Sequence, residues 1–347
     1  MPNYKTITMI KKLILSFLLF IPILAYCQDD QIVGIAYDWE QLSSSDQKNI
    51  KVSAEKYLEK LAQKDIKGFW ELCHPKLKEK IPLIAFQETG NIIANMIPSM
   101  DSFQFIDAKK VEFSTEPKNV RFSTGGSVDK NNPTYLQFET VAGIKNQSLV
   151  LYKLNNKPLS KIITMKFGLV DSMYELTSFE INTSSIDNKN ADYYTGIANK
   201  WSSNKSLIPQ FIALNMAYRL SYLGRGTFTS KMIDITERMQ TLQKDSKLTD
   251  EIKKWTIKDT VYDIINIDFL ETQSDVTPNI IYISKVVLGE KTTKDEVKVL
   301  FEYFKEKYPD LVNEFRKFMF TAYEEYPAIA TKQYKLYRVF MDINENK

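Results

Sequence analysis

The sequence predicts an α+β fold in two blocks, and three observations carry that reading. Apolar residues recur at helical spacing up to about Ile97. From Phe103 to Ile181 the period falls to two, the signature of strands. From about Asn190 to the end the helical period returns. The polar stretch Thr183-Ser184-Ser185-Ile186-Asp187-Asn188-Lys189-Asn190 separates the blocks and reads as a linker. This sets an α+β domain at 48–182 and an all-helical domain at 191–347, behind a signal peptide at 1–27 and a flexible lead-in at 28–47. With 347 residues, 44% of them hydrophobic, the chain is long and apolar enough to bury two cores.

The first block opens with a helix. Ser43 to Asp46 form an N-cap neighbourhood, and Ile50, Ala54, Tyr57, Leu58 and Leu61 then make one apolar stripe. Asp65 caps a short second helix through Phe69, Trp70 and Leu72, which His74-Pro75 ends, because the residue before a proline is pushed out of the α region. Pro82 suits the first turn of a third helix reaching Ile97, with Phe86, Ile93 and Ile97 inward. Strands follow at 111–113, 120–122, 136–139, 149–152, 162–169 and 174–181. Pro117-Lys118-Asn119, Gly125-Gly126, Asn131-Asn132-Pro133 and Asn155 to Pro158 supply the turns. Short connections between successive strands imply an antiparallel sheet. Acidic residues on these strands (Glu139, Glu175, Glu180) alternate with apolar ones and read as a solvent face.

In the second block Leu207, Phe211, Leu214 and Tyr218 mark a helix closed by Leu223-Gly224-Arg225-Gly226 in C-cap style. Met232, Ile235, Met239 and Leu242 mark the next. Thr277-Pro278 reads as cap and first-turn proline of another. Val297, Leu300, Phe301, Phe304 and then Val312, Phe315, Met319, Ala322, Tyr326 form two stripes split at Pro309. For Tyr334 to Ile343 periodicity does not choose between helix and strand.

The first 27 residues predict the address. Lys11 and Lys12 precede the apolar run Leu13 to Ala25, and Ala25-Tyr26-Cys27 is followed by Gln28-Asp29-Asp30. This is the layout of a secretory signal peptide cut near Cys27. The run falls short of the about 20 residues a membrane span needs, so no transmembrane segment is expected in the mature chain, which is read as secreted or periplasmic. Lipidation at Cys27 is the rival reading, against which stands Tyr26 in the preceding position. Lys5, Lys11 and Lys12 carry the whole +3 charge, so the remainder is neutral. A neutral chain has no electrostatic drive toward nucleic acid or an anionic membrane.

Ala54-Glu55-Lys56-Tyr57-Leu58, Lys64-Asp65 and Phe69-Trp70-Glu71-Leu72-Cys73-His74-Pro75, followed by the strands, resemble the opening of secreted bacterial domains of the NTF2-like (cystatin-like) fold. The resemblance covers about residues 48–182, and no family resembles the rest. It implies three helices packed in a cone of curved antiparallel sheet with an apolar pocket, lined here by Trp70, Phe138 and Tyr152. It also implies that catalytic members use an acid or base in the cone.

The chemistry-bearing residues are few. His74 is the sole histidine, which excludes a histidine triad or a multi-histidine metal site. Cys73 is the one cysteine left after cleavage and reads as buried and inert. Ser-x-x-Lys occurs three times, at Ser53, Ser127 and Ser202, without the partner motifs that would give it meaning. No phosphate loop, paired CxxC, HExxH or nucleophile elbow is present, and nothing implies a cofactor. Asp171-Ser172-Met173 and Asp259-Thr260-Val261 are similar to an O-glycan acceptor pattern of some secreted bacterial proteins. Leu220 to Arg225 has the flavour of a tetratricopeptide repeat but no 34-residue period behind it. The expectation is an exported, non-enzymatic binding protein, holding a small apolar ligand in the cone or a protein partner on the helical half. The alternatives are an enzyme using a carboxylate in the cone and a structural, homodimerising role.

Overall fold

The helices of the first block start where side chains satisfy free backbone N–H groups. A short strand, β1 (Gly34–Asp38), precedes them. The Ser43 hydroxyl accepts the Asp46 amide proton at 3.1 Å and opens α1 (Ser44–Ala62), whose buried residues are the five of the expected stripe. The Asp65 carboxylate accepts from the Gly68 amide at 2.8 Å and opens α2 (Ile66–Glu71). His74 then does more than end a helix. Its Nδ1 accepts from the Lys76 amide at 3.1 Å, and Pro75 takes the first helical position of α3 (Pro75–Lys80), a helix the sequence reading missed. The next helix is α4 (Leu83–Asn95).

These features come from a computed structural model that describes residues 34–118, 121–123, 135–155, 158–272, 275–328 and 332–343. The expected signal peptide, the first part of the expected lead-in, and the expected Gly125-Gly126 and Asn131-Asn132-Pro133 turns lie outside the described residues.

The chain continues through β2 (Phe103–Phe113), β3 (Arg121–Ser123), β4 (Leu136–Glu139), β5 (Asn146–Leu154), β6 (Leu159–Val170), β7 (Met173–Ile186) and β8 (Lys189–Asn190). Next come α5 (Ala191–Ser203), α6 (Leu207–Ser221), β9 (Thr227–Thr229), α7 (Ser230–Gln243) and α8 (Ser246–Lys253). The last elements are β10 (Lys254–Ile257), β11 (Thr260–Glu271), β12 (Val276–Ile283), α9 (Glu290–Lys307), α10 (Pro309–Val312), β13 (Lys317–Tyr323) and β14 (Leu336–Asp342). One sheet runs β1-β2-β5-β6-β7-β8, a second runs β10-β11-β12-β13-β14, and a small third runs β3-β4-β9.

Three expectations are corrected here. A three-helix cone followed by an all-helical domain is not what the chain builds. Four helices precede the large sheet, its edge strand β1 lies before them all, and the second half carries a five-stranded sheet of its own. The linker at 183–190 is strand and hairpin: β7 runs to Ile186 and turns through Asp187-Asn188 into β8. Both turn residues have positive φ (47° and 65°), as a two-residue hairpin with right-handed twist demands, and Asp and Asn tolerate it. Residues from Gly34 to Lys347 form one compact unit.

The sheet of the second half was missed because its interior strand β13 satisfies both periods. Phe318, Met319, Phe320, Thr321 and Ala322 are all buried, since β13 has a strand on each side and is covered on both faces. Such a run contains helical spacing by accident. Thr277-Pro278 lies inside β12, paired with β11, one residue before pairing with β13 begins at Asn279. There a missing N–H leaves no gap on the β13 side. The β12–β13 pair is parallel, and α9 and α10 supply the crossover. Tyr334 to Ile343 contains the strand β14.

Two cores result. One lies between α1–α4 and one face of the large sheet; the other joins α5–α10 to the five-stranded sheet. The opposite face of the large sheet meets the second half along a polar seam. The Thr164 hydroxyl donates to the Leu223 carbonyl, and Lys166 Nζ donates to the Arg225 carbonyl at 2.9 Å. The Arg225 amide donates to the Glu180 carboxylate at 2.8 and 2.9 Å, and the Glu139 amide donates to the Gly226 carbonyl at 2.7 Å. Lys161 Nζ reaches Glu271 Oε1 at 3.1 Å and Thr183 Oγ1 at 2.9 Å. Strand β9 then pairs with β4. Glu139 and Glu180, expected to face solvent, therefore grip the Leu223–Gly226 turn.

The grip leaves no room for a side chain at Gly224. Its φ is +123°, and a Cβ there would meet the Glu180 carboxylate carbon at 2.7 Å, on the group that receives the Arg225 amide. Gly224→Ala is expected to destabilise the protein by about 2 kcal/mol, through left-handed strain and displacement of Glu180. Denaturant titration reads this; an unchanged midpoint would contradict the seam.

Candidate functional site

The β7–β8 hairpin, the β11–β12 turn and residues 313–316 enclose a cavity of about 110 Å³. Each wall is placed by local chemistry. The Asp187-Asn188 turn projects from the end of the large sheet. Thr272 closes the β11–β12 turn: its amide and hydroxyl donate to the Asp275 carbonyl at 2.8 and 3.1 Å, and its hydroxyl accepts from the Asp275 amide at 3.1 Å. Residues 313–316 follow α10 and lead into β13.

The rim of the cleft is ionic and satisfied. Arg316 grips both carboxylate oxygens of Asp187, at 2.6 and 2.5 Å. Glu314 Oε2 accepts from Lys189 at 2.8 Å and from the Tyr193 hydroxyl at 2.5 Å. Both pairs are partly solvated, so they orient groups more than they stabilise the fold. Ile186, Tyr194, Val276 and Phe315 provide apolar wall, with the Tyr194 and Phe315 rings stacked at 6.0 Å.

Asp275 is the exception. It is 6% exposed and makes no ion pair among the described residues. Burial raises its carboxyl above the ordinary value. Lys317 and Arg316 pull it back down and Asp187 pushes it further up, with a net rise. Arg316 is committed to Asp187, and Lys317 lies over the Phe340 ring at 5.3 Å. A buried carboxyl with a raised pKa in a cleft is the pattern by which functional groups are recognised.

The sequence-based pocket residues do not converge. Tyr152 is buried in the helical-side core, edge-on to Phe105 at 5.5 Å, its phenol pushed up by burial. Phe138 is buried on β4 of the small sheet. Trp70 is half-buried on α2 with Lys78 Nζ 5.2 Å from its ring, off that core. The space between α1–α4 and the sheet is filled by the chain's own rings, Tyr57, Phe69, Phe86, Phe167 and Phe179, whose centroids lie 5.2 to 5.6 Å apart.

Cys73 is buried, and burial pushes its thiol up to about 12. His74, lowered by burial, is committed to capping α3. Asp171-Ser172 and Asp259-Thr260 are exposed, at the β6–β7 and β10–β11 hairpin turns. Sequence reasoning missed Asp275, Arg316 and Glu314, which carry no motif; Asp187-Asn188 was visible as turn chemistry and was assigned to a linker.

Comparison with protein-family models, with curated proteins and with solved structures finds no match to this chain. Among the described residues no helix is long and apolar enough to cross a membrane, and no group of three or more His, Cys, Asp or Glu side chains could hold a metal ion.

The Asp275 shift has a defined sign. A carboxyl whose pKa is raised by folding holds its proton more tightly in the folded state. Its contribution to stability is full below the ordinary carboxylate range and is lost as pH rises through the folded value. Asp275→Asn is therefore expected to raise the melting temperature at neutral pH by about 2 °C, the gain vanishing in acid. A variant less stable than the parent at neutral pH would show that the carboxylate supports the fold.

Proposed function

We propose that this is an exported protein that works by binding, with the Asp275 cleft as its recognition site. The charged flank, apolar run and small-residue end of residues 1–27 support export. The observation that carries the binding reading is the Asp275 carboxyl. Every other ionic side chain lining the cleft has its counter-charge within 3 Å, while this one is buried without an ion pair among the described residues. An unpaired buried carboxyl costs stability, and such costs are retained where a ligand supplies the missing partner. The cavity is well below the ~300 Å³ at which pockets for drug-sized molecules begin. It suits a small ligand or one side chain of a partner protein.

A carboxylate-dependent enzyme would also want a buried, raised carboxyl. Among the described residues lining the cleft there is no histidine, cysteine or serine to act beside it, which favours binding over turnover.

A thermal-shift screen of the full chain against charged and neutral small molecules and short peptides tests this. At least one class is expected to raise the melting temperature of the parent and not that of Asp275→Asn. A screen in which nothing distinguishes the two proteins contradicts the cleft. Turnover of a substrate lost in Asp275→Asn contradicts the non-enzymatic reading.

A further inference from the structure

We infer that the ligand of the cleft is an alkylammonium group, held by the Asp275 carboxylate in a cleft with one apolar wall; this rests on the cleft being the recognition site. The charge count points to one cation. Asp187, Asp275 and Glu314 contribute three carboxylates, and Lys189 and Arg316 contribute two cations, each already bonded to Glu314 and Asp187. Asp275 is left over, and a single positive group completes the set.

The walls add shape. Ile186, Val276, Tyr194 and Phe315 line the space with hydrocarbon and stacked rings, all of them buried. A methylene stem gains by burial against such walls, while a bare metal ion finds only one unpaired carboxylate where it would need several ligands. A carboxylate ligand would meet Asp275 and Glu314, and both cations among the described lining residues are already paired.

The ammonium is either a free amine or the lysine side chain of a partner, and the same titrations separate the sources. Nα-acetyl-lysine methylamide, n-butylamine and the neutral Nα-acetyl-norleucine methylamide are titrated calorimetrically into the full chain and into Asp275→Asn. Saturable binding of an amine probe is expected, weakened at least about tenfold in Asp275→Asn and absent for the norleucine analogue. Binding of n-butylamine alone would identify a free amine; preference for the lysine derivative would identify a side chain.

Because Asp275→Asn is expected to be the more stable protein, lost binding in it is not unfolding. The wild type gives an independent reading. Amine binding should weaken as pH falls and Asp275 takes up its proton, against a background of Asp187, Glu314, Lys189, Arg316, Lys317 and the Tyr193 and Tyr194 phenols. Equal binding of the amine and norleucine probes, or amine binding untouched by Asp275→Asn, would overturn the inference and leave the cleft standing as a site of other specificity. Binding of Nα-acetyl-glutamate methylamide in place of the amines would do the same. Failure of every probe, together with a blank thermal-shift screen, would remove the cleft itself.

Discussion

The turn at Leu223–Gly226, laid across β6 and β7, is the contact on which the rest of the structure depends. The large sheet needs cover on both faces. On one face α1–α4 provide it with hydrocarbon. On the other, β6 presents Thr164 and Lys166, both nearly buried, while the cross-strand pair Lys161 and Thr183 is buried toward the end of the same strands. Burying such groups costs several kcal/mol unless their hydrogen-bonding ends are met. The second half meets them: carbonyls of the turn bond Thr164 and Lys166, and Glu271 completes the Lys161–Thr183 pair. Burial lowers the Lys166 pKa, with Glu180 and Glu139 opposing from close by. The seam is thus polar, specific in register and conditional on both halves being folded.

The cleft follows from this docking. Glu271 ends β11, and bonding it to Lys161 and Thr183 brings the β11–β12 turn beside the β7–β8 hairpin. Asp275 sits in that turn, Asp187 in the hairpin, and Arg316 and Glu314 arrive from the segment before β13 to pair with the hairpin's Asp187 and Lys189. No element alone contains the site. It exists because two sheets meet end to side, and the carboxyl left unpaired is on the strand turn that the meeting buries.

Much of the first half was legible because its signals are local. The α1 stripe, the Asp65 cap and the central strands β5, β6 and β7 each rest on neighbours within a few residues and lie where periodicity put them, whereas β1 and β8 fall in the expected lead-in and linker. The His74 cap was missed because a histidine before proline reads as a stop as easily as a start. The helices of the second half at 207–221, 230–243 and 290–307 were equally legible, but its sheet was not, for a different reason. β13 is buried on both faces, so its apolar run carries no alternation, and Pro278 is tolerated in β12 by an unpaired stretch that only the partner's register reveals. The seam and the cleft were out of reach altogether, because Glu139, Glu180, Glu271 and Asp275 look like any surface carboxylates until strands distant in sequence are brought against them.

The central claim is that the two sheets are stable only together. Hydrogen exchange of the full chain across a denaturant series, followed separately in peptides from β5–β6 and from β11–β12, tests it most directly. The account predicts that both lose protection at one midpoint, in a single cooperative transition. Protection surviving in one sheet after the other has exchanged would mean that the halves fold independently, and that the seam joins two finished domains.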